Sequence, residues 1–105
     1  MDEPMSYRFE WDDDKARANQ RKHGIRFDEA STVFDDLLAR IFDDEVNSID
    51  ERREIIIGHS IRTRLLLVCF TERPKEKIRI ISARLPTKKE RKDYEETVNL
   101  KSPGK

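Results

Sequence analysis

The sequence predicts one α+β domain, in which two N-terminal helices precede a small antiparallel sheet and a third helix closes the chain. Three observations predict this order. Apolar residues recur with helical spacing over residues 27–38, and three apolar runs within residues 53–84 are separated by links of hairpin length. A capping box from Thr87 to Glu90 follows the last run. We expect a single domain over residues 5–99 and a flexible tail over residues 100–105.

The composition fits a small, highly charged domain. Charged residues make up 42% of the 105 residues and apolar residues 35%, so the core must be compact. No apolar run approaches the roughly 20 residues that cross a bilayer, and the first residues lack the pattern of a signal peptide. The single cysteine, Cys69, lies in an apolar run. We therefore expect a cytoplasmic protein with a buried thiol and no membrane partner.

The formal net charge of zero hides an uneven distribution. Residues 28–51 contain nine acidic residues and one basic residue, whereas residues 62–92 contain eleven basic and three acidic residues. Local fields follow local charge, so formal neutrality is compatible with a phosphate-binding face. The alternative is that the two segments pair with each other.

The N-terminal part predicts a strand and a helix. Tyr7 and Phe9 alternate with charged residues, which indicates a short strand. Asp12 is a good N-cap, and Gly24 is a typical C-terminal stop after the basic residues 21–23. The apolar face of this helix is poor, so its residues at 15, 19, 22 and 23 form a face that is exposed or functional.

A second helix is predicted directly after the first. Phe27 precedes Asp28, which is a candidate N-cap. The apolar residues that follow have the spacing of an amphipathic helix and are expected in the core: Ala30, Val33, Phe34, Leu37 and Leu38.

The rest of the chain predicts strands and one more helix. Arg40–Asp44 is a candidate short strand, and three longer strands are predicted at Arg53–His59, Arg64–Thr71 and Lys77–Arg84. The short links between the three longer strands make their pairing antiparallel. We expect the helices mainly on one face of this sheet, which leaves the other face without an obvious cover.

The last strand carries an arginine near each end. Strict alternation places Arg79 and Arg84 on opposite faces, so both serve one site only if the strand twists, bulges or ends early. A guanidinium keeps its charge and needs water, a carboxylate or a phosphate. Two salt bridges to the acidic part of the chain are therefore an equally good interpretation.

The residues that could carry chemistry are cationic or acid–base groups. The sequence has no recognisable metal-ligand spacing, nucleophile motif or phosphate-binding glycine loop. The remaining groups suit cleavage of RNA by its own 2′-hydroxyl, which needs a base, an acid and fixed cations. They are Lys22, His23, Glu51, Arg53, His59, Arg62, Arg64, Arg79 and Arg84.

Several of these residues also have a plain structural interpretation. His23 precedes Gly24 and is suited to interact with its own helix C-terminus. Lys22 is equally suited to be a solvated helix residue, and Glu51 and Arg53 to form a simple ion pair.

The sequence resembles the BrnT family over about residues 7–96. The resemblance rests on three groups of residues in matching order. They are Phe9-Glu10-Trp11-Asp12 with Lys15, Asn19, Lys22-His23-Gly24-Ile25, Phe27, Ala30 and Phe34; then Glu51-x-Arg53, Ile57-Gly58, Arg64-Leu65-Leu66 and Thr71-Glu72-Arg73; and finally Arg79-Ile80-Ile81-Ser82-Ala83-Arg84, Glu90-Arg91 and Tyr94-Glu95.

This resemblance implies a toxin of a bacterial type II toxin–antitoxin pair, with a RelE-like fold. It implies RNA cleavage without a metal or other cofactor, which inhibits translation and growth. The implied partner is a BrnA-type ribbon-helix-helix antitoxin, through which the complex contacts operator DNA.

Roles for the candidate residues follow as expectations. Arg64 and Arg79 are expected to clamp the phosphate, together with Arg84. Lys22 and His23 are the acid–base candidates, and Glu51 is expected to orient one of them. Additional RNA contacts are expected from Lys15, Arg53 and Arg62.

A non-enzymatic role is the competing interpretation. The same basic face would then bind nucleic acid or the antitoxin, and the chain would act as a co-repressor in the autoregulatory complex. An adjacent reading frame with a ribbon-helix-helix pattern would favour the toxin.

Overall fold

A computed structural model of the protein describes residues 7–100, without the side chains of residues 99 and 100. The α+β prediction is confirmed by three helices and a five-stranded sheet. Residues 101–105 of the predicted tail lie outside the described residues. The elements are β1 (Arg8–Glu10), α1 (Asp13–His23), α2 (Phe27–Ser31), β2 (Arg40–Asp43), β3 (Glu54–His59), β4 (Leu65–Arg73), β5 (Lys77–Arg84) and α3 (Lys88–Leu100).

Helix α1 begins and ends at the predicted caps. The Asp12 carboxylate accepts a hydrogen bond from the backbone N–H of Lys15 at 3.0 Å. Gly24 has a φ of 72°, a left-handed conformation that costs glycine little. Within the described part of the chain, no helix is long and apolar enough to cross a bilayer.

The predicted length of the second helix is wrong. Helix α2 is followed by a 3-10 turn at Thr32–Asp35, and Leu37 and Leu38 are 96% and 53% exposed rather than part of the core. Asp36 explains the early end, because its extended backbone turns the chain towards β2. Its carboxylate accepts hydrogen bonds from the N–H groups of Leu38 at 2.9 Å and His59 at 2.8 Å, which fix this turn.

The sheet has the strand order β1-β5-β4-β3-β2. Strands β2 to β5 pair antiparallel, as predicted. The pairing of β1 was not predicted, and this strand makes the sheet mixed, because it pairs parallel with β5. The sequence carries no local turn signal for this pairing, since the whole of α1 to β4 separates the two strands along the chain.

The two faces of the sheet are covered differently. Helices α1 and α2 cover the inner face, where Phe27, Val68 and Phe70 belong to the main core. The outer face is defined by Leu67, Cys69 and Thr71, which alternate with those core residues along β4. The expectation that this face has no cover holds only in part, because Tyr94 of α3 packs over one end of it.

Candidate functional site

A β-bulge brings two arginines to the outer face. Cys69 pairs with Ser82 whereas Phe70 pairs with Ile80, so β5 contains one extra residue at this point. Arg79 then lies opposite Thr71, and Arg84 lies opposite Leu67 on the same face. One site can therefore include both arginines, as the sequence left open.

Four arginines of the outer face form what we call the arginine row: Arg53, Arg73, Arg79 and Arg84. Arg79 donates a hydrogen bond to the Glu10 carboxylate at 3.1 Å, and the same carboxylate oxygen lies 4.0 Å from Arg73 Nε. Arg73 continues to Glu51 at 3.9 Å, and Glu51 lies 3.6 Å from Arg53 Nε. Two carboxylates, those of Glu10 and Glu51, thus link Arg53, Arg73 and Arg79.

The ion pairs of Arg53 and Arg73 are loose. Their distances of 3.6–4.0 Å exceed those of hydrogen bonds, and the buried Nε of Arg53 has no hydrogen-bond partner within the described residues. Both side chains remain partly exposed. A phosphate would therefore meet guanidinium groups that do not have to give up short hydrogen bonds.

Arg84 is held more firmly, by Glu90 at the start of α3. Its two terminal nitrogens donate to the two carboxylate oxygens at 2.9 and 3.0 Å. Glu90 also completes the predicted capping box, because it accepts from the N–H of Thr87 at 2.8 Å. The hydrogen bonds from Arg84 and, to a lesser extent, from Thr87 lower the pKa of Glu90 to about 2.

Cys69 lies on the outer face opposite Ser82, two positions along β4 from Leu67, which pairs with Arg84. Burial raises the pKa of its thiol, although a hydrogen bond with Ser82 and the charges of Arg84 and Arg53 act in the opposite direction. Cys69 itself is only half-buried, whereas a fully buried thiol was expected.

Arg64 lies elsewhere. It precedes β4 and donates from Nε to the Glu29 carboxylate at 3.0 Å, on the side of the sheet that α2 covers. Glu29 is only 6% exposed and also accepts from the Ser60 hydroxyl at 2.6 Å. The hydrogen bond from Arg64 and, to a lesser extent, the charge of Arg62 in the same β3–β4 hairpin lower the pKa of Glu29. The structure thus does not bring Arg62 or Arg64 to the arginine row.

The acid–base candidates on α1 are also separate from the arginine row. Lys22 and His23 stand in the last turn of α1, and neither side chain has a hydrogen bond or ion pair within the described residues. Lys15 stands at the other end of this helix, where it and Arg79 lower the pKa of Asp12. The roles of these three residues stay predictions.

Three residues of the site were missing from the predicted set. Arg73 follows the longest apolar run, Glu10 alternates with the apolar Phe9, and Glu90 had been recognised only as a helix cap. The strand alternation of Phe9 and Glu10 is a signal that places Glu10 on the outer face, but its partner Arg79 is 69 positions away.

The chemistry available on the outer face is that of fixed cations beside carboxylates. The planar guanidinium group of an arginine can donate two parallel hydrogen bonds to phosphate oxygens. Glu51 supplies a proton acceptor next to two of these arginines. Among the described residues, no group of three or more metal-binding side chains lies close enough to hold an ion.

Comparisons with known proteins find a matching sequence family and a similar fold. The sequence model described as the ribonuclease toxin BrnT of type II toxin–antitoxin systems matches residues 11–90. The 1.1 Å crystal structure of the Brucella abortus ribonuclease toxin BrnT is similar in fold, with a TM-score of 0.62 and 24% identity over 79% of this chain and 100% of that one. A comparison with curated proteins found no significant match. The chain belongs to the BrnT family of ribonuclease toxins.

Proposed function

We propose that this toxin is a cytoplasmic endoribonuclease that cleaves RNA without a metal ion and thereby inhibits translation and growth. The observation that carries the proposal is the arginine row, in which the bulge in β5 places Arg79 and Arg84 on the same face as Arg53 and Arg73. Four guanidinium groups on one face supply the positive charge that a developing phosphorane requires.

The reaction is attack of a 2′-hydroxyl oxygen on the adjacent phosphorus. The bond to the 5′ oxygen breaks, which leaves a 2′,3′-cyclic phosphate and a free 5′-hydroxyl. Glu51 is the carboxylate between Arg53 and Arg73 and accepts the 2′-hydroxyl proton in this proposal. Arg79 and Arg84 hold the phosphate, and water on the open outer face supplies the proton that the leaving oxygen takes up. A role for Lys22 or His23 stays a separate prediction, because α1 covers the other face of the sheet.

The proposal includes an antitoxin, since type II toxin–antitoxin families imply such a partner. We propose a BrnA-type ribbon-helix-helix protein that neutralises the toxin and contacts operator DNA on behalf of the complex. The present chain then contributes little DNA contact of its own.

The test is cleavage of single-stranded RNA by the purified chain in excess EDTA. We expect cleavage of RNA and none of a 2′-deoxy substrate of the same sequence. Arg79→Ala should lower the rate by about 10²–10³-fold with little loss of stability. Arg91→Ala is the matched control, because Arg91 is an exposed arginine of α3 whose one ion pair within the described residues is with Glu95 of the same helix.

Arg64→Ala is a second comparison, at an arginine for which we expect a structural role. It leaves the buried Glu29 carboxylate without its guanidinium and should destabilise the fold by about 3 kcal/mol. Loss of cleavage in EDTA with recovery on adding Mg²⁺ would refute the metal-independent reaction. Melting of Arg79→Ala as low as Arg64→Ala would instead make Arg79 a structural residue.

A further inference from the structure

Strand β2 leaves one edge of the sheet open. In the strand order it comes last, and among the described residues it pairs only with β3. The backbone groups on its other side form a template for one more strand. Edge strands are usually protected by charge, but the middle of β2 is Ile41 and Phe42, which are 54% and 48% exposed.

Exposed apolar residues are concentrated around this edge. Six of the nine large exposed apolar side chains in the described part of the chain fall within residues 37–49. They are Leu37, Leu38, Ile41, Phe42, Val46 and Ile49. Such a concentration marks an interaction surface rather than ordinary surface composition.

A cleft of about 470 Å³ adjoins the same edge. Its floor is the outer face at Ile55, Ile57 and Leu67, and α3 forms one wall with Tyr94. Phe42 lines it from β2. A strand added to β2 would direct alternate side chains towards this cleft.

The segment that contains β2 is acidic, and Arg40 of β2, which also lines the cleft, is the one basic residue among residues 28–51. Asp35, Glu45 and Asp50 of this segment are exposed, and none of the three makes an ion pair within residues 7–100. Asp43, in β2 itself, is already paired with Arg52 at 2.9 Å. A second copy would bring its own acidic segment against this one, which is repulsive, so the charge favours a basic occupant.

We propose that an extended basic and apolar segment of the antitoxin pairs with β2 and fills the adjoining cleft. This rests on the antitoxin of the proposed function and adds where it binds. Glu90, which holds Arg84, also lines this cleft, so a segment that fills it reaches one end of the arginine row. Phe42 and Glu45 do not belong to that row, so variants at these two residues test docking apart from RNA cleavage.

The experiment measures binding of the purified antitoxin, encoded by the adjacent reading frame, to the full chain by calorimetry. Phe42→Lys should weaken binding by about tenfold or more, and Glu45→Lys by about fivefold. Both variants should keep the RNA-cleavage rate and the melting temperature. Ile61→Lys is the matched control, because Ile61 is an exposed apolar residue in the β3–β4 hairpin.

Unchanged affinity in both variants would overturn the docking site while leaving the ribonuclease proposal intact. Loss of affinity in Arg79→Ala alone would place the antitoxin over the arginine row instead. Dimerisation of the free chain that Phe42→Lys abolishes would make a second copy the occupant. Absence of any binding by the wild-type chain would refute the proposed antitoxin, and this docking site with it, but not RNA cleavage.

Discussion

Replacing Glu90 by glutamine removes the charge that holds Arg84 and caps α3. The ordinary pKa of 4.5 falls to about 2 in the folded protein, and one unit corresponds to about 1.4 kcal/mol. If the whole pKa shift contributed to the free energy of unfolding, it would stabilise the fold by about 3 kcal/mol. The Glu90 side chain is 34% exposed and solvent screens the pair, so we expect about 1–2 kcal/mol of lost stability at pH 7.

The same shift predicts how the loss depends on pH. A carboxyl with a depressed folded-state pKa contributes stability above its unfolded pKa and loses that contribution as the pH falls through the folded value. The difference in unfolding free energy between wild type and Glu90→Gln should therefore be full above pH about 4.5 and shrink towards pH about 2.

Urea unfolding followed by circular dichroism at several pH values measures this difference. At pH 7 the melting temperature should fall by about 5–15 °C for a domain of this size. Glu95→Gln is the matched control, since Glu95 lies on the same helix in an exposed pair with Arg91 at 3.7 Å. A loss that is equal at pH 7 and pH 2.5, or no greater than that of Glu95→Gln, would refute the role of the Arg84–Glu90 pair.

Two further substitutions test the packing that supports the site. Gly58→Ala should destabilise the fold by about 1–3 kcal/mol in thermal unfolding, because its Cβ would lie 2.8 Å from Ala39 Cβ and 3.0 Å from an Asp36 carboxylate oxygen. Unchanged stability would mean that the turn containing Asp36 and Ala39 moves aside easily. Asn19→Ala should cost about 3 kcal/mol, because the buried amide bonds the N–H and C=O of Ala83 at 3.0 and 2.9 Å. Asn19→Asp should cost at least as much as alanine at pH 7, because it turns a buried carboxylate towards the carbonyl oxygens of Ile25 and Ala83, and a smaller loss than alanine would contradict this account.

Local signals in the sequence predicted the elements whose ends depend on neighbouring residues. Asp12 and Gly24 bound α1 as expected, since caps act within one turn of the helix. The second helix was predicted too long because Leu37 continues the apolar spacing, whereas Asp36 bonds to His59, 23 positions away. Periodicity cannot register such a distant contact.

The candidate site shows the same division between local and distant information. Arg79 and Arg84 were recognisable as unusual residues in an apolar strand, but alternation alone placed them on opposite faces. The bulge that joins them depends on the register between β4 and β5, which no residue of β5 reveals by itself. An ion pair between Glu51 and Arg53 was one of two interpretations of these residues, and the Glu51 carboxylate does lie 3.6 Å from Arg53 Nε.

The arginines of this chain differ in the burial of their carboxylate partners. Glu29 is buried, so Arg64 could not turn to a phosphate without leaving an unpaired charge inside the fold. Glu10 and Glu90 are partly exposed, so water can solvate either carboxylate when Arg79 or Arg84 binds a substrate. Arg64 and Glu29 are 35 positions apart, and the sequence could not show this difference. RNA is therefore expected to draw on the arginine row and to leave Arg64 in place.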